Sequence, residues 1–100
     1  MSFGLNPFKE QWLDIVGSDT AVSPEASLVA STLGRSLGVG RVALTNWQWV
    51  NVSLGRERND PAVFVSLREL VSADYLERYL GDGLRAHTHG WRLTLPGKGH

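Results

Sequence analysis

The chain has 100 residues, 42% of them hydrophobic and 20% charged, which is the balance of one ordinary globular domain and excludes a disordered segment or a pair of independent cores. Ten basic and ten acidic residues cancel to a formal net charge of zero, which removes any general attraction to nucleic acid or to acidic membranes. Cysteine is absent, so disulfides, thiolate metal sites and a cysteine nucleophile are excluded.

No apolar run approaches the roughly eighteen residues of a membrane span. The opening MSFGLNPFKEQ lacks the basic start and apolar block of a signal peptide, so cytoplasmic residence is expected. Asn6 before Pro7 reads as a helix cap, and Phe8, Trp12, Ile15 and Val16 recur at helical spacing, predicting a short amphipathic helix over about 7–16. Gly17-Ser18-Asp19 ends it. Ser23-Pro24-Glu25 is a second start signal: a hydroxyl cap, a proline with preset φ and an acid at the positive helix end. Ala26, Val29, Ala30, Leu33 and Leu37 mark one face of that helix. Both helices are expected to pack beneath the central helix pair.

Gly38-Val39-Gly40-Arg41 is a glycine-rich turn without the following Lys-Ser/Thr of a phosphate loop, so nucleotide binding is not expected. Arg41–Leu44 reads as a short strand aligned with a later hairpin. Thr45 is the expected cap of the helix NWQWVNVSL, which Leu54-Gly55 closes through glycine's tolerance of left-handed backbone. Asn59 or Asp60 is placed to cap a second helix with Pro61 in its first turn. Within it Val63, Leu67, Leu70 and Val71 form one apolar stripe. YLERYL and GWRLTLP then alternate like strands. The polar loop between them carries the turn signal Asp82-Gly83. Residues 96–100 are expected to fray.

The order helix, tight turn, helix, strand and hairpin, with the phrases VSLGR at 52–56 and VSLRELVSADYL at 65–76, resembles the winged helix-turn-helix domains of bacterial, plasmid and phage regulators. The resemblance spans about residues 24–95. It implies an α+β fold, a single domain over 1–100 with about four helices followed by a C-terminal β-hairpin wing. It also implies sequence-specific binding of double-stranded DNA by a small transcriptional regulator, with the helix at about 61–73 in the major groove and the 80–90 wing beside it. Mapped by position, Asn59, Asp60, Ala62, Val65 and Arg68 would face bases, while Arg56 and Arg58 would grip phosphates. Arg85, with His87 or His89, would make the wing's contact. One small module with few arginines makes little contact, so a homodimer is expected, with Phe8 and Trp12 as its surface.

Three positions depart from that pattern. The presumptive recognition helix opens Asn-Asp-Pro-Ala, placing Asp60 where it would repel phosphate. Asp74 stands where a glycine is usual, and aspartate adopts left-handed backbone better than most residues. Asn51 stands where a small alanine is usual. The alternative reading is a winged helix used for protein–protein interaction, through an apolar face around Trp49, Val52 and Val65.

Several side chains carry two readings. Trp47 is expected in the core. Trp49 either packs under the N-terminal helix, the leading reading, or is an exposed anchor for a protein partner, with base stacking a minor third. Phe64 is expected in the core beneath the wing; were Ala62, Phe64 and Val65 all exposed, an apolar patch there would favour a protein partner. Arg56, Arg58, Arg68 and Arg85 either contact DNA or pair with Glu57, Asp60, Glu69 and Asp82 at the surface. His87-Thr88-His89 has the spacing of some metal sites but no evident third ligand, so solvated wing histidines that tune binding with pH are expected instead. No nucleophile elbow or placed carboxylate pair is present, so neither catalysis nor a cofactor is expected.

Overall fold

The computed structural model describes residues 6–37, 40–81 and 89–96. Four helices and three short strands follow in the order α1 (Pro7–Ser18), α2 (Pro24–Arg35), β1 (Val42–Ala43), α3 (Trp47–Ser53), α4 (Ala62–Ser72), β2 (Leu76–Tyr79) and β3 (Gly90–Leu93). The strands form an antiparallel sheet of order β1-β3-β2. This is a small α+β domain, and no described helix is long and apolar enough to cross a membrane.

The helix starts follow from local chemistry. Asn6 Oδ1 accepts from Lys9 N–H at 3.2 Å, and Ser23 Oγ accepts from Ala26 N–H at 3.1 Å; each side chain satisfies a donor the helix cannot. For α3 the cap lies one residue beyond the expected Thr45: Asn46 Oδ1 accepts from Trp49 N–H at 2.9 Å.

Both members of the α3–α4 pair end in the same way. The N–H of Gly55 donates to Val52 C=O and that of Arg56 to Asn51 C=O, with Gly55 at φ 74. In α4, Asp74 N–H donates to Val71 C=O and Tyr75 N–H to Leu70 C=O. This doubled pattern consumes two orphan carbonyls and forces the residue after the cap into left-handed backbone. Asp74 accepts that conformation at φ 65, where glycine would be unstrained.

The core gathers one face of every element: Trp12 and Val16 of α1, Val29 and Leu33 of α2, Val50 of α3, Val63, Leu67 and Leu70 of α4, and Ala43, Leu76 and Leu93 of the sheet. Helix α1 approaches α2 closely at Gly34, where an added Cβ would sit 3.0 Å from the Leu13 side chain. Gly90 is tighter. A Cβ there would lie 2.0 Å from Ala43 O, so glycine is what lets β3 lie against β1.

Trp12 corrects an expectation. It is fully buried, and its Nε1–H is shared between Tyr75 C=O at 3.0 Å and Thr94 C=O at 2.9 Å. It therefore ties α1 to the start of β2 and the end of β3, and it is no part of an exposed dimer surface. Phe8 is half-buried beneath the Arg41 guanidinium, 4.1 Å from its ring centre. Beside this knot, Tyr75 Oη donates to Asp19 Oδ2 at 2.6 Å. Burial, then the adjacent carboxylate, pushes the Tyr75 phenol up to about 12. The same bond, with Ala21 N–H, holds Asp19 below the usual carboxylate range.

Candidate nucleic-acid interface on the helix pair

The turn between α3 and α4 is held from below by Asn51. This side chain is fully buried, and its Nδ2 donates to Arg58 C=O at 3.0 Å and Asp60 C=O at 2.9 Å. These two bonds fix the path of residues 58–60. Gln48 Nε2 reaches Asn59 Oδ1 at 3.4 Å from the outer side. Helix α4 then begins after Pro61, and Asp60 Oδ1 accepts from Ala62 N–H at 2.9 Å.

Two of the acids near this face are engaged in hydrogen bonds, while Glu57 in the turn is exposed. Asp60 is bound to the start of α4. Glu69 is drawn across to α2, where its carboxylate accepts from Ser23 N–H at 2.6 Å and from Ser23 Oγ–H at 2.9 Å. Arg56 is ion-paired with Glu25 of α2. These partners correct the expected surface pairing: Asp60 and Glu69 serve backbone donors, and Arg56 is engaged with an acid 31 residues away in sequence. It is thus occupied as a structural clip rather than free for phosphate. Among the described residues, Arg58 and Arg68 make no ion pair.

At about 100° per residue, Ala62, Val65, Arg68 and Ser72 fall on one outward stripe of α4, and all four are exposed. Glu69 falls on the same stripe, between Ala62 and Val65, but its carboxylate is held by Ser23 of α2. Val65 is 69% exposed and Phe64 44%, so Phe64 is not the core residue expected. Ala62, Phe64 and Val65 are all exposed, as the protein-partner reading requires, yet they do not share one stripe. Phe64 is rotated toward the sheet, its ring 4.6 Å from that of Trp47. Val71, expected in the buried stripe, is exposed on the same flank.

Trp49 also departs from its leading expectation. It does not pack under α1; it is 62% exposed, and Val52, one turn on, is exposed beside it. Between α3, the sheet and the flank of α4 lies a recess of about 500 Å3, walled by Trp47, Trp49, Phe64 and Trp91 with Arg78 and His89. A shallower hollow of about 230 Å3 runs on along α4 past Arg68. Arg78 and Trp91 were not singled out from the sequence. They meet because Arg78 pairs with Trp91 across β2 and β3, and the guanidinium sits 5.0 Å from the indole centre. The alternation of both segments carried that signal, but the register did not exist until the sheet was formed.

Arg85, His87 and the Asp82-Gly83 turn lie outside the described residues, as do the glycine-turn residues 38–39 and the tail 97–100. Among the described residues no group of three His, Cys, Asp or Glu side chains is placed to hold a metal. Compared with protein-family models, curated proteins and solved structures, the chain matches none.

Proposed function

We propose that this domain is a winged helix-turn-helix that binds double-stranded DNA, with α4 entering the major groove and the β2–β3 hairpin flanking it as the wing. The observation that carries the reading is that the outward stripe of α4 presents no carboxylate left unengaged. Asp60 and Glu69, whose charges would oppose phosphate, are committed to the start of α4 and to Ser23, while Arg58 and Arg68 stay unpaired among the described residues. Ala62 and Val65 are short enough for close approach and suit thymine methyl groups, and Arg68 suits guanine. The sheet order β1-β3-β2 behind a helix pair agrees with this architecture; the fold alone would not supply the function.

Fluorescence anisotropy of the labelled protein against a randomised duplex pool tests it. Binding that weakens steeply between low and moderate salt, with one sequence enriched over selection rounds, is expected. Absence of binding at low salt refutes it. Arg68→Ala is expected to relax preference at one base position.

A second reading is favoured by a different observation. Trp49 and Val52 expose an apolar face on α3, away from the α4 stripe, and exposed tryptophan is a common anchor for a protein partner. Loss of a captured partner on Trp49→Ala, with duplex affinity unchanged, would establish that face as a separate contact.

A further inference from the structure

We infer that the recess between α4 and the sheet holds single-stranded nucleic acid, stacking an unpaired base on its aromatic wall and holding phosphates on Arg68 and Arg78. This inference uses the flank of α4 that faces β2 and β3, and of the outward stripe it shares Arg68 and Ser72, at the far end of the hollow; Phe64, Arg78 and Trp91 line the recess and are no part of that stripe.

The lining suits that occupant. Phe64, Arg78 and Trp91 border both the recess and the hollow along α4, so the two adjoin on this flank. Trp47, Trp49, Phe64 and Trp91 give the recess aromatic walls, and aromatic side chains bind bases of any identity through their faces. Arg78 and Arg68 are the charged residues of the two, and no carboxylate lines either among the described residues. Stacking on Trp91 holds the Arg78 guanidinium in place, so little side-chain freedom is lost when it meets a phosphate. His89 Nε2 also belongs to this region, shielded from solvent and without a hydrogen-bond partner. A base paired within a duplex cannot enter such a recess, whereas an unstacked one can.

Three of the four tryptophans line the recess and the fourth, Trp12, is buried in the core. Tryptophan fluorescence therefore reads the site directly. The probe is an oligothymidylate of about ten nucleotides, a length within the range single-strand grooves accept, titrated alongside free thymidine monophosphate. The strand is expected to quench the fluorescence with an affinity that falls as salt rises. Phe64→Ala and Arg78→Ala are each expected to weaken it roughly tenfold, and Arg78→Ala to lower the salt slope by about 0.7. Phe64→Leu, which keeps apolar packing on Trp47 without a ring, is expected to behave like Phe64→Ala if the ring stacks a base. Circular dichroism melts of each variant report whether the fold survives. The inference is overturned if the strand fails to quench at low salt, or if the monophosphate binds as tightly as the strand. It is equally overturned if folded Phe64→Leu and Arg78→Ala bind like the parent.

Discussion

Replacing Asn51 by alanine tests how the helix pair is held in register. The substitution removes the bonds from Nδ2 to Arg58 C=O and Asp60 C=O. Each is worth on the order of 1 kcal/mol net, and more if the abandoned carbonyl stays dry. One factor opposes the loss: Asn51 Oδ1 is itself buried without a partner, and deleting it relieves about 1 kcal/mol of desolvation. Another is access to water, since Arg58 is exposed and Asp60 half-buried, so part of that turn can rehydrate. The balance is a destabilisation of about 1–2 kcal/mol for Asn51→Ala. In a domain of this size that lowers the melting temperature by roughly 4–16 °C. Asn51→Asp keeps the shape but turns the donor into an anionic acceptor facing two carbonyl oxygens, so at pH 7 it is expected to cost more than the alanine, about 3 kcal/mol or above. Thermal and urea unfolding followed by circular dichroism gives both values. An alanine variant within about 0.5 kcal/mol of the parent, or an aspartate variant more stable than the alanine, would refute the account of Asn51 as the lock on the turn.

Other perturbations follow from the same contacts. Trp12→Phe keeps most of the buried ring but strands two carbonyls that now share one indole N–H, and a loss of about 1–3 kcal/mol in urea unfolding is expected. Gly90→Ala drives a Cβ into the Ala43 carbonyl; β1 must detach from β3, and amide exchange should accelerate at Ala43 and Trp91 before the helices respond. Tyr75 and Asp19 give a pH signature of two signs. The Asp19 pKa is depressed in the fold, so its contribution is present above the ordinary carboxylate value of about 3.8 and is lost as pH falls through the lower folded value. The Tyr75 pKa is raised from 10.0 to about 12, so stability is retained below pH 10 and lost as pH climbs through that window. Unfolding free energies of Tyr75→Phe measured across both ranges should vary less with pH than those of the parent.

Much of the frame was legible because its causes are local. The caps Asn6 and Ser23, Gly55 closing α3 and Asp74 in left-handed backbone all depend on residues within a few positions of one another. What escaped is non-local. A helical stripe says that Trp12 needs a partner but not which one, and the partner proved to be Tyr75 and Thr94 from the far end of the chain. Asn51 stood out only as a departure from the expected small residue, and the carbonyls it serves are not visible until the turn above it is placed. Asp60 counted against DNA binding when only its charge was visible, and Glu69 stood only as an ion-pair partner for arginine; their hydrogen bonds to Ala62 and Ser23 redirect both. Arg56 had acids close by in sequence and took Glu25 instead. Exposure misled in the other direction for Trp49 and Phe64, because an apolar residue at the border of a stripe belongs equally to core and surface until the neighbouring element is placed.

The most direct test of DNA recognition by the outward stripe is a comparison of the parent with Val65→Glu on the duplex sequence enriched by selection. Val65 is largely exposed, so the change should leave thermal stability within about 0.5 kcal/mol while placing a carboxylate at the centre of the stripe. The account predicts that the variant melts like the parent and loses duplex binding at moderate salt. A folded Val65→Glu protein that binds the same duplex with unchanged affinity would contradict it.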